Sequence, residues 1–181
     1  METDRQADML FEIWHHLASL GYDHYEVSNF ARRGQDSHLC LHNLRYWNLQ
    51  PYLGIGPSAC STALAPDGLV RCNAEPDVHA YAAQTAFSTY QVEKLTKYEE
   101  LEEYLIMSLR TRFGIDKLGF SRRFGCDFND ILSQSGLKGT SFDPLVNDTE
   151  ERFWLSESGW MVMDPIVVRL ASVPSIPNGS A

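Results

Sequence analysis

The strongest constraint on this chain lies at its start, where a helical pattern runs straight into a strand. Leu10, Ile13, Trp14 and Leu17 recur at helical spacing between Asp4 and Leu20, Thr3 with Gln6 forms a capping-box pattern, and Gly21 ends the segment. His24 to Phe30 then reads as a short strand, aromatic and β-branched, entered by a tight turn. A helix followed by a strand belongs to a layered α/β structure with further strands beside it, and nothing ahead of this helix supplies them. The chain therefore reads as one that enters its fold partway through. A strand left with an open edge invites association, so residues 1 to 90 are expected to self-associate or to be unstable.

Composition narrows the class. With 181 residues, 44% of them hydrophobic and 22% charged, the chain can bury a core as one domain or two small ones. Its most apolar stretch, Trp160 to Val173, is broken by Asp164, Pro165 and Arg169, so no membrane span is expected and the chain reads as soluble. The first five residues, Met1 to Arg5, do not form a basic region ahead of an apolar one, and the expected location is the cytoplasm. Cys40, Cys60, Cys72 and Cys126 lie far apart without a CxxC pair, which fits reduced thiols. A net charge of -9, from 15 basic and 24 acidic residues, repels a phosphate backbone and makes nucleic acid a second-rank partner.

Further along, residues 31 to 57 read as a long loop. Ser58 to Leu64 and Leu69 to Asn73 form a hairpin pattern around the turn signal Pro66-Asp67-Gly68, and Pro76 opens a helix through Phe87. The character changes near Gln91 to Thr96, which divides the chain into residues 1–92 and 93–173 with a frayed tail at 174–181. Thr96 with Glu99 forms a second capping box, and Tyr98, Leu101, Leu105 and Leu109 make the stripe of a helix ending near Gly114. Helices at Lys117 to Phe124 and Phe128 to Gln134, a strand at Glu151 to Leu155, and a helix capped by Ser156 and kinked by Pro165 complete a small winged-helix-like unit.

The stretch His42-Asn43-Leu44-Arg45-Tyr46-Trp47, with His38 and Cys40 upstream, carries the most chemistry. Imidazole is the commonest side chain for binding haem iron, Tyr and Trp offer flat faces for a porphyrin, and Arg32, Arg33 and Arg45 could pair with propionates. The alternative is that His42 and Asn43 bond the loop backbone while Tyr46 and Trp47 pack a core edge. A metal site of His38, Cys40 and His42 is disfavoured, since alternate residues of an extended loop point apart. Gly54-Ile55-Gly56-Pro57-Ser58-Ala59 permits close backbone approach by a nucleotide or methionine-like ligand, or is only a turn; no full GxGxxG, P-loop, GxSxG or HExxH occurs. Glu99, Glu100, Glu102 and Glu103 form a solvated face, with Arg110, Arg112, Arg122 and Arg123 either their ion-pair partners or a local basic patch.

Three motifs in order, Gly21-Tyr22-Asp23-His24-Tyr25-Glu26-Val27-Ser28-Asn29-Phe30-Ala31, then His42-Asn43-Leu44-Arg45-Tyr46-Trp47, then Tyr52-Leu53-Gly54-Ile55-Gly56-Pro57-Ser58-Ala59, resemble the oxygen-independent coproporphyrinogen III oxidase-like proteins, in particular their radical-SAM haem chaperones. Leu155-Ser156-Glu157-Ser158-Gly159 echoes a pattern of that family's C-terminal domain. The resemblance implies an α+β or α/β fold: the end of a partial TIM-like radical-SAM barrel, then a winged-helix-like domain. It implies haem binding at His42, Asn43, Tyr46 and Trp47, with His42 the iron ligand, and an S-adenosylmethionine pocket near Gly54, Gly56 and Ala59. Full-length members hold a [4Fe-4S] cluster through a CxxxCxxC loop, a motif this sequence does not contain. The family also runs from Ser37 almost directly into the His-Asn pair, whereas His38-Leu39-Cys40-Leu41 intervenes here.

These features imply a haem-binding, haem-trafficking protein that is truncated and catalytically incomplete alone, with haem, a haem-accepting protein or a chain completing the barrel as partners. The alternatives are a winged-helix interaction module and a fragment of a true oxidase, with porphyrinogen as ligand. Anaerobic reconstitution with iron and sulfide should give no stoichiometric [4Fe-4S] centre, because the four cysteines lack clustered spacing; a reproducible four-iron centre that cleaves S-adenosylmethionine would contradict this.

Overall fold

A computed structural model describes residues 2–34, 38–65, 68–84 and 91–173. The Thr3 cap, the turn at Pro66-Asp67, the end of the helix expected to reach Phe87 and the tail 174–181 lie outside the described side chains and residues.

Helix α1 (Glu2–Ser19) leads into β1 (Tyr22–Glu26) and β2 (Asn29–Arg32). The single strand expected from His24 to Phe30 is thus a hairpin, pairing Tyr22 with Arg32 and His24 with Phe30. Val27 and Ser28 form its turn, so β-branching at Val27 marks a corner and not a strand centre. The other edge of β1 is not open. Arg112 donates its N–H to the Tyr25 carbonyl at 3.0 Å, Val27 donates to Arg110 at 2.9 Å, and Glu26 bridges Thr111. Residues 110–112 therefore close the edge that the sequence left without a partner. On α1, Trp14 is buried, whereas Leu10 and Ile13 of the expected core stripe are exposed, as are Met9 and, just past the helix, Leu20.

The expected loop at 31–57 contains a helix, α2 (Leu41–Trp47). Strands β3 (Cys60–Ala65), β4 (Gly68–Asn73) and β5 (Gln91–Lys94) follow as an antiparallel sheet in chain order, with Cys60 opposite Asn73 and Val70 opposite Lys94. The division expected at 92/93 falls inside β5, whose backbone is paired with β4. Helix α3 (Val78–Ala83) is opened by Asp77, which accepts from the Ala80 N–H at 2.8 Å; Pro76 precedes the cap and does not occupy the first helical position.

Helix α4 (Lys97–Leu109) begins on the expected capping box, with Thr96 and Glu99 bonded reciprocally, and stops at Leu109 where Arg110 turns toward β1. Helices α5 (Lys117–Phe124) and α6 (Phe128–Gln134) are capped by Asp116 and Asp127. Strands β6 (Ile115–Asp116), β7 (Val146–Asp148) and β8 (Arg152–Leu155) form an antiparallel sheet in the order β6-β8-β7. The expected last helix is two, α7 (Glu157–Trp160) and α8 (Met163–Ala171). Their break lies at Met161 and Val162, ahead of Pro165, which sits in the first turn of α8 where a missing N–H costs nothing. No helix among the described residues is long and apolar enough to cross a membrane.

The large hydrophobic core belongs to the second half. Leu101, Leu105 and Leu109 on one stripe of α4 meet Phe120, Phe128, Phe153 and Ile166, all fully buried, and the phenyl rings of Phe120, Phe124 and Phe128 pack 4.8 to 5.1 Å apart. Among the described residues before 95 the large buried apolar side chains are Trp14, Tyr25 and Leu69. Beside the core, buried Lys117 donates to Asp148 at 2.6 Å and to Asn129 at 2.7 Å, while Lys138 reaches Asp148 at 3.1 Å. Partial burial of Asp148 pushes its carboxyl up, but the hydrogen bonds and charges of the two lysines outweigh it and hold the group below the ordinary carboxylate range.

Its stabilising effect is thus present above the unfolded-state value near pH ~4 and lost as pH falls through the lowered folded value. Asp148→Asn should cost about 2 kcal/mol at neutral pH, less than a fully buried pair because Asp148 is partly exposed, and should flatten the acid limb of stability against pH. Denaturant unfolding across pH 3 to 7 checks both effects; an unchanged acid limb would contradict the assignment.

Candidate functional site

Helix α2 gave no sequence signal of its own. Cys40 at its start offers no side-chain cap, and its seven residues bury none of their number completely. Its end is held by backbone geometry: Leu49 takes φ 50 in the left-handed region, its N–H bonds the Tyr46 carbonyl, and the Gln50 N–H bonds the Arg45 carbonyl, both at 2.9 Å. This is the helix stop usually built on glycine, here carried by leucine at some steric cost.

Residues four apart share a helix face, which splits the motif in two. His42 and Tyr46 form one stripe, their rings edge-on at 4.9 Å, and Tyr52 extends it with its ring 4.6 Å from Tyr46. Tyr52 is fixed by a backbone bridge to Thr62, and burial together with a hydrogen bond to Cys60 pushes its hydroxyl up to about 12. Asn43 and Trp47 form the adjoining stripe. Trp47 turns toward the end of α4, where the Arg110 guanidinium lies 5.2 Å over its ring, and its indole Nε1 is sealed from solvent without a partner among the described residues. The Tyr46 and Trp47 rings thus do not make a common bed: Tyr46 accompanies His42, and Trp47 docks the helix.

His42 is exposed. The cavity beneath the stripe, between Tyr46, Tyr52, Thr62 and Met107, holds only about 30 Å³ and cannot admit a porphyrin. A macrocycle on this helix must lie against its outer side, where His42 presents an imidazole and Leu41, Leu53 and Ile55 are exposed apolar neighbours in sequence. An accessible imidazole, an aromatic edge and apolar side chains are a donor set that suits haem.

The Cys40 backbone N–H donates to the buried Tyr25 hydroxyl at 3.0 Å. Among the described residues no group of three His, Cys, Asp or Glu side chains could hold a metal ion. Gly54, Gly56 and Ala59 are used by the fold. Gly54 donates to Ser61 Oγ at 2.9 Å, Gly56 to the Tyr81 hydroxyl at 3.2 Å, and the Ala59 carbonyl accepts from Ala74 at 2.9 Å. A Cβ at Gly54 would stand 2.2 Å from the Cys60 carbonyl oxygen, so close backbone approach is real there, toward β3.

The arginines are dispersed. Arg123 pairs with Glu100 at 2.9 Å as the ion-pair reading expects, but Arg112 turns to Asp23 at 3.6 Å and Arg110 to Trp47. Of the arginines considered for propionates, Arg33 is paired with Asp23 at 3.0 Å, while Arg32 and Arg45 are exposed. Two residues escaped the sequence. Arg110 lies 63 positions from Trp47, beyond any local pattern. His24, read only as a strand residue, is buried in a cage of Trp14, Phe30 and Trp160 with ring centroids 4.3 to 4.7 Å away, its Nδ1 3.1 Å from Glu157.

Comparison with known proteins agrees with this layout. Residues 95–162 match the HemN C-terminal domain family. The chain is 33% identical over 157 residues to a protein of Lactococcus lactis subsp. lactis named heme chaperone HemW, covering 87% of this chain and 40% of that one. It is 28% identical over 158 residues to the Bacillus subtilis protein of the same name, with 86% and 40% covered. Mouse radical S-adenosyl methionine domain-containing protein 1, mitochondrial, is 37% identical over 122 residues, 63% of this chain and 27% of that one. The chain thus spans about 40% of the length of the bacterial relatives it matches. In fold it matches the solved coproporphyrinogen III oxidase (HemN) of Escherichia coli, a radical SAM enzyme, with TM-score 0.63 and 20% identity over 92% of this chain and 41% of that one. The mixed helix-and-sheet architecture is shared with part of that enzyme.

Gly54→Ala should destabilise the chain by about 2 kcal/mol or more, since backbone must move to clear the new methyl. Thermal unfolding measures it; an unchanged midpoint would show that the close approach to β3 is not needed.

Proposed function

We propose that this chain, a C-terminal part of the radical-SAM HemN-like family, binds haem on helix α2 and serves in haem handling, with His42 the iron ligand. The observation that carries the reading is the placement of His42: an exposed imidazole at the start of a helix that Trp47 fastens to the body of the protein. The relatives named heme chaperones supply the cargo.

In this reading the imidazole of His42 supplies the coordinate bond, Tyr46 and Tyr52 form an aromatic edge beside it, and Asn43 adds a polar side chain one residue further along the helix. The outer side of α2 remains open to solvent. A ligand held by one imidazole on an open face can be handed to an acceptor protein, which suits trafficking better than permanent retention. Cys40, Cys60, Cys72 and Cys126 are free and lack the CxxxCxxC spacing that holds a [4Fe-4S] cluster in full-length members. Gly54, Gly56 and Ala59 would shape the strand edge at which the family's S-adenosylmethionine pocket lies, once further barrel strands are present in the same or another polypeptide. The exposed apolar residues Met9, Leu10 and Ile13 of α1, with Leu20 just after it, are where such strands would pack. Residues 1–92 would then be the barrel and haem-motif portion and 93–173 the winged-helix-like portion that anchors it. Four unpaired cysteines suit a reducing compartment, and the cytoplasm is the proposed location.

Haem titration should give a saturable Soret shift with about one haem per chain, and His42→Ala should remove the iron bond and alter the spectrum. Trp47→Ala should weaken affinity by loosening α2, with the ligation spectrum little changed. His38 and Cys40 are substituted in parallel, since either could replace the lost ligand. A spectrum and affinity that survive loss of His42, His38 and Cys40 together would overturn the haem assignment for this helix.

A further inference from the structure

We infer that Arg110 is the carboxylate anchor of the α2 site, taking a propionate of the porphyrin whose iron His42 binds. The inference rests on the haem reading above and adds to it a second recognition point, supplied by a helix far away in sequence.

Three observations converge on this side chain. First, its position is fixed on all sides. The Arg110 carbonyl accepts the Val27 N–H at 2.9 Å, its own N–H closes the end of α4, and its guanidinium lies 5.2 Å over the Trp47 ring. A guanidinium over the face of an indole is attracted to the ring, which favours this placement of the side chain. Second, it is a cation without a counter-charge. Arg33, Arg71, Arg112 and Arg123 each pair with a carboxylate, whereas Arg110 has no ion pair or side-chain hydrogen bond among the described residues. Glu26, the buried acid bridged through the adjacent Thr111, takes a hydrogen bond from Asn29 on one carboxylate oxygen and keeps the other sealed without a partner, outside ion-pair distance of Arg110. Among the described residues the Arg110 Nε is sealed without an acceptor, whereas its terminal amino groups are not among the sealed, unpartnered atoms. Third, its neighbour is the haem-motif helix itself, since Trp47 ends α2.

An open, oriented guanidinium is matched to a carboxylate, which it can take through two parallel N–H donors. The need for one is plain from the charge: a porphyrin with two ionised propionates approaches a chain of net charge -9, and a fixed local cation offsets that repulsion where the ligand must settle. Arg32 and Arg45, both exposed, lack the stacking that orients Arg110. A haem with its iron at His42 and a propionate at Arg110 would reach from the outer side of α2 round its last turn to the side that Trp47 turns toward α4, so the helix would select its cargo at two ends: a metal ligand at its first turn and a carboxylate anchor at its last.

The test compares ferric haem with its dimethyl ester, and iron-free protoporphyrin IX with its dimethyl ester, by absorbance and tryptophan-quenching titrations of the full chain. Wild type should bind each free acid about ten-fold or more tighter than its ester, the scale of a charge-assisted hydrogen bond to carboxylate. Arg110→Gln should abolish that preference while keeping the Soret shift that reports His42 ligation, and Arg110→Lys should restore part of it. Arg32→Gln combined with Arg45→Gln should leave the preference intact. His42→Ala should do the reverse of Arg110→Gln, losing the iron-dependent shift and keeping the acid-over-ester preference for the iron-free porphyrin. The inference is overturned if wild type does not distinguish acid from ester, an arm that requires no substitution, or if Arg110→Gln distinguishes them as wild type does. Failure of the haem reading looks different: the ferric spectrum is then indifferent to His42, His38 and Cys40, whatever Arg110 does.

Discussion

Arg110 joins the parts of this structure that sequence places far apart. Its backbone closes α4 and pairs with the β1–β2 turn, and its side chain lies on the last aromatic residue of α2. The neighbouring Arg112 N–H adds a bond to Tyr25, so residues 110–112 run along the edge of β1 like a short extra strand. A stack of a guanidinium on an indole contributes about 1 kcal/mol, modest by itself. It adds to the packing of Tyr46 against Tyr52 in holding a helix of seven residues that has no side-chain cap and a leucine in a left-handed stop. Helix α2 is stable because it is docked, and it is docked through Trp47.

The same arrangement explains how the two halves divide their work. The second half owns the continuous apolar core, with α4 as its central stripe. The first half buries few large apolar side chains and relies on attachments: the β1 edge to residues 110–112, and His24 in its aromatic cage against Trp160 and Glu157 of α7. Trp160 in turn donates its indole N–H to the Leu109 carbonyl at 2.8 Å, which brings α7 to the same end of α4. The end of α4 is therefore the meeting point of α2, the hairpin and α7, and the exposed imidazole of His42 stands on a short helix referenced to it.

Local chemistry was legible in the sequence wherever a signal is confined to a few residues. The Thr96 and Glu99 capping box, the bounds of α5 and α6, and the return hairpin of β3 and β4 all follow from caps, stripes and turns spaced within a dozen positions. The motif residues His42, Asn43, Tyr46 and Trp47 were also legible, but their sorting onto different faces was not, because α2 carries neither a cap nor a stop that sequence rules recognise. The β1–β2 turn was hidden by a β-branched residue at its corner, and the break between α7 and α8 was assigned to Pro165 when it occurs ahead of it. What escaped altogether were pairings across long stretches of chain, Arg110 with Trp47 and His24 with Glu157, which depend on the finished fold.

The central claim is that haem sits on the outer side of α2 with its iron at His42, and locating the iron tests it most directly. An experimental structure of the haem-loaded chain, with the iron placed by its anomalous scattering, should show the metal in bonding distance of the His42 imidazole and the macrocycle lying along the face that carries Tyr46. Iron bound away from α2, with His42 still free in solvent, would contradict the account.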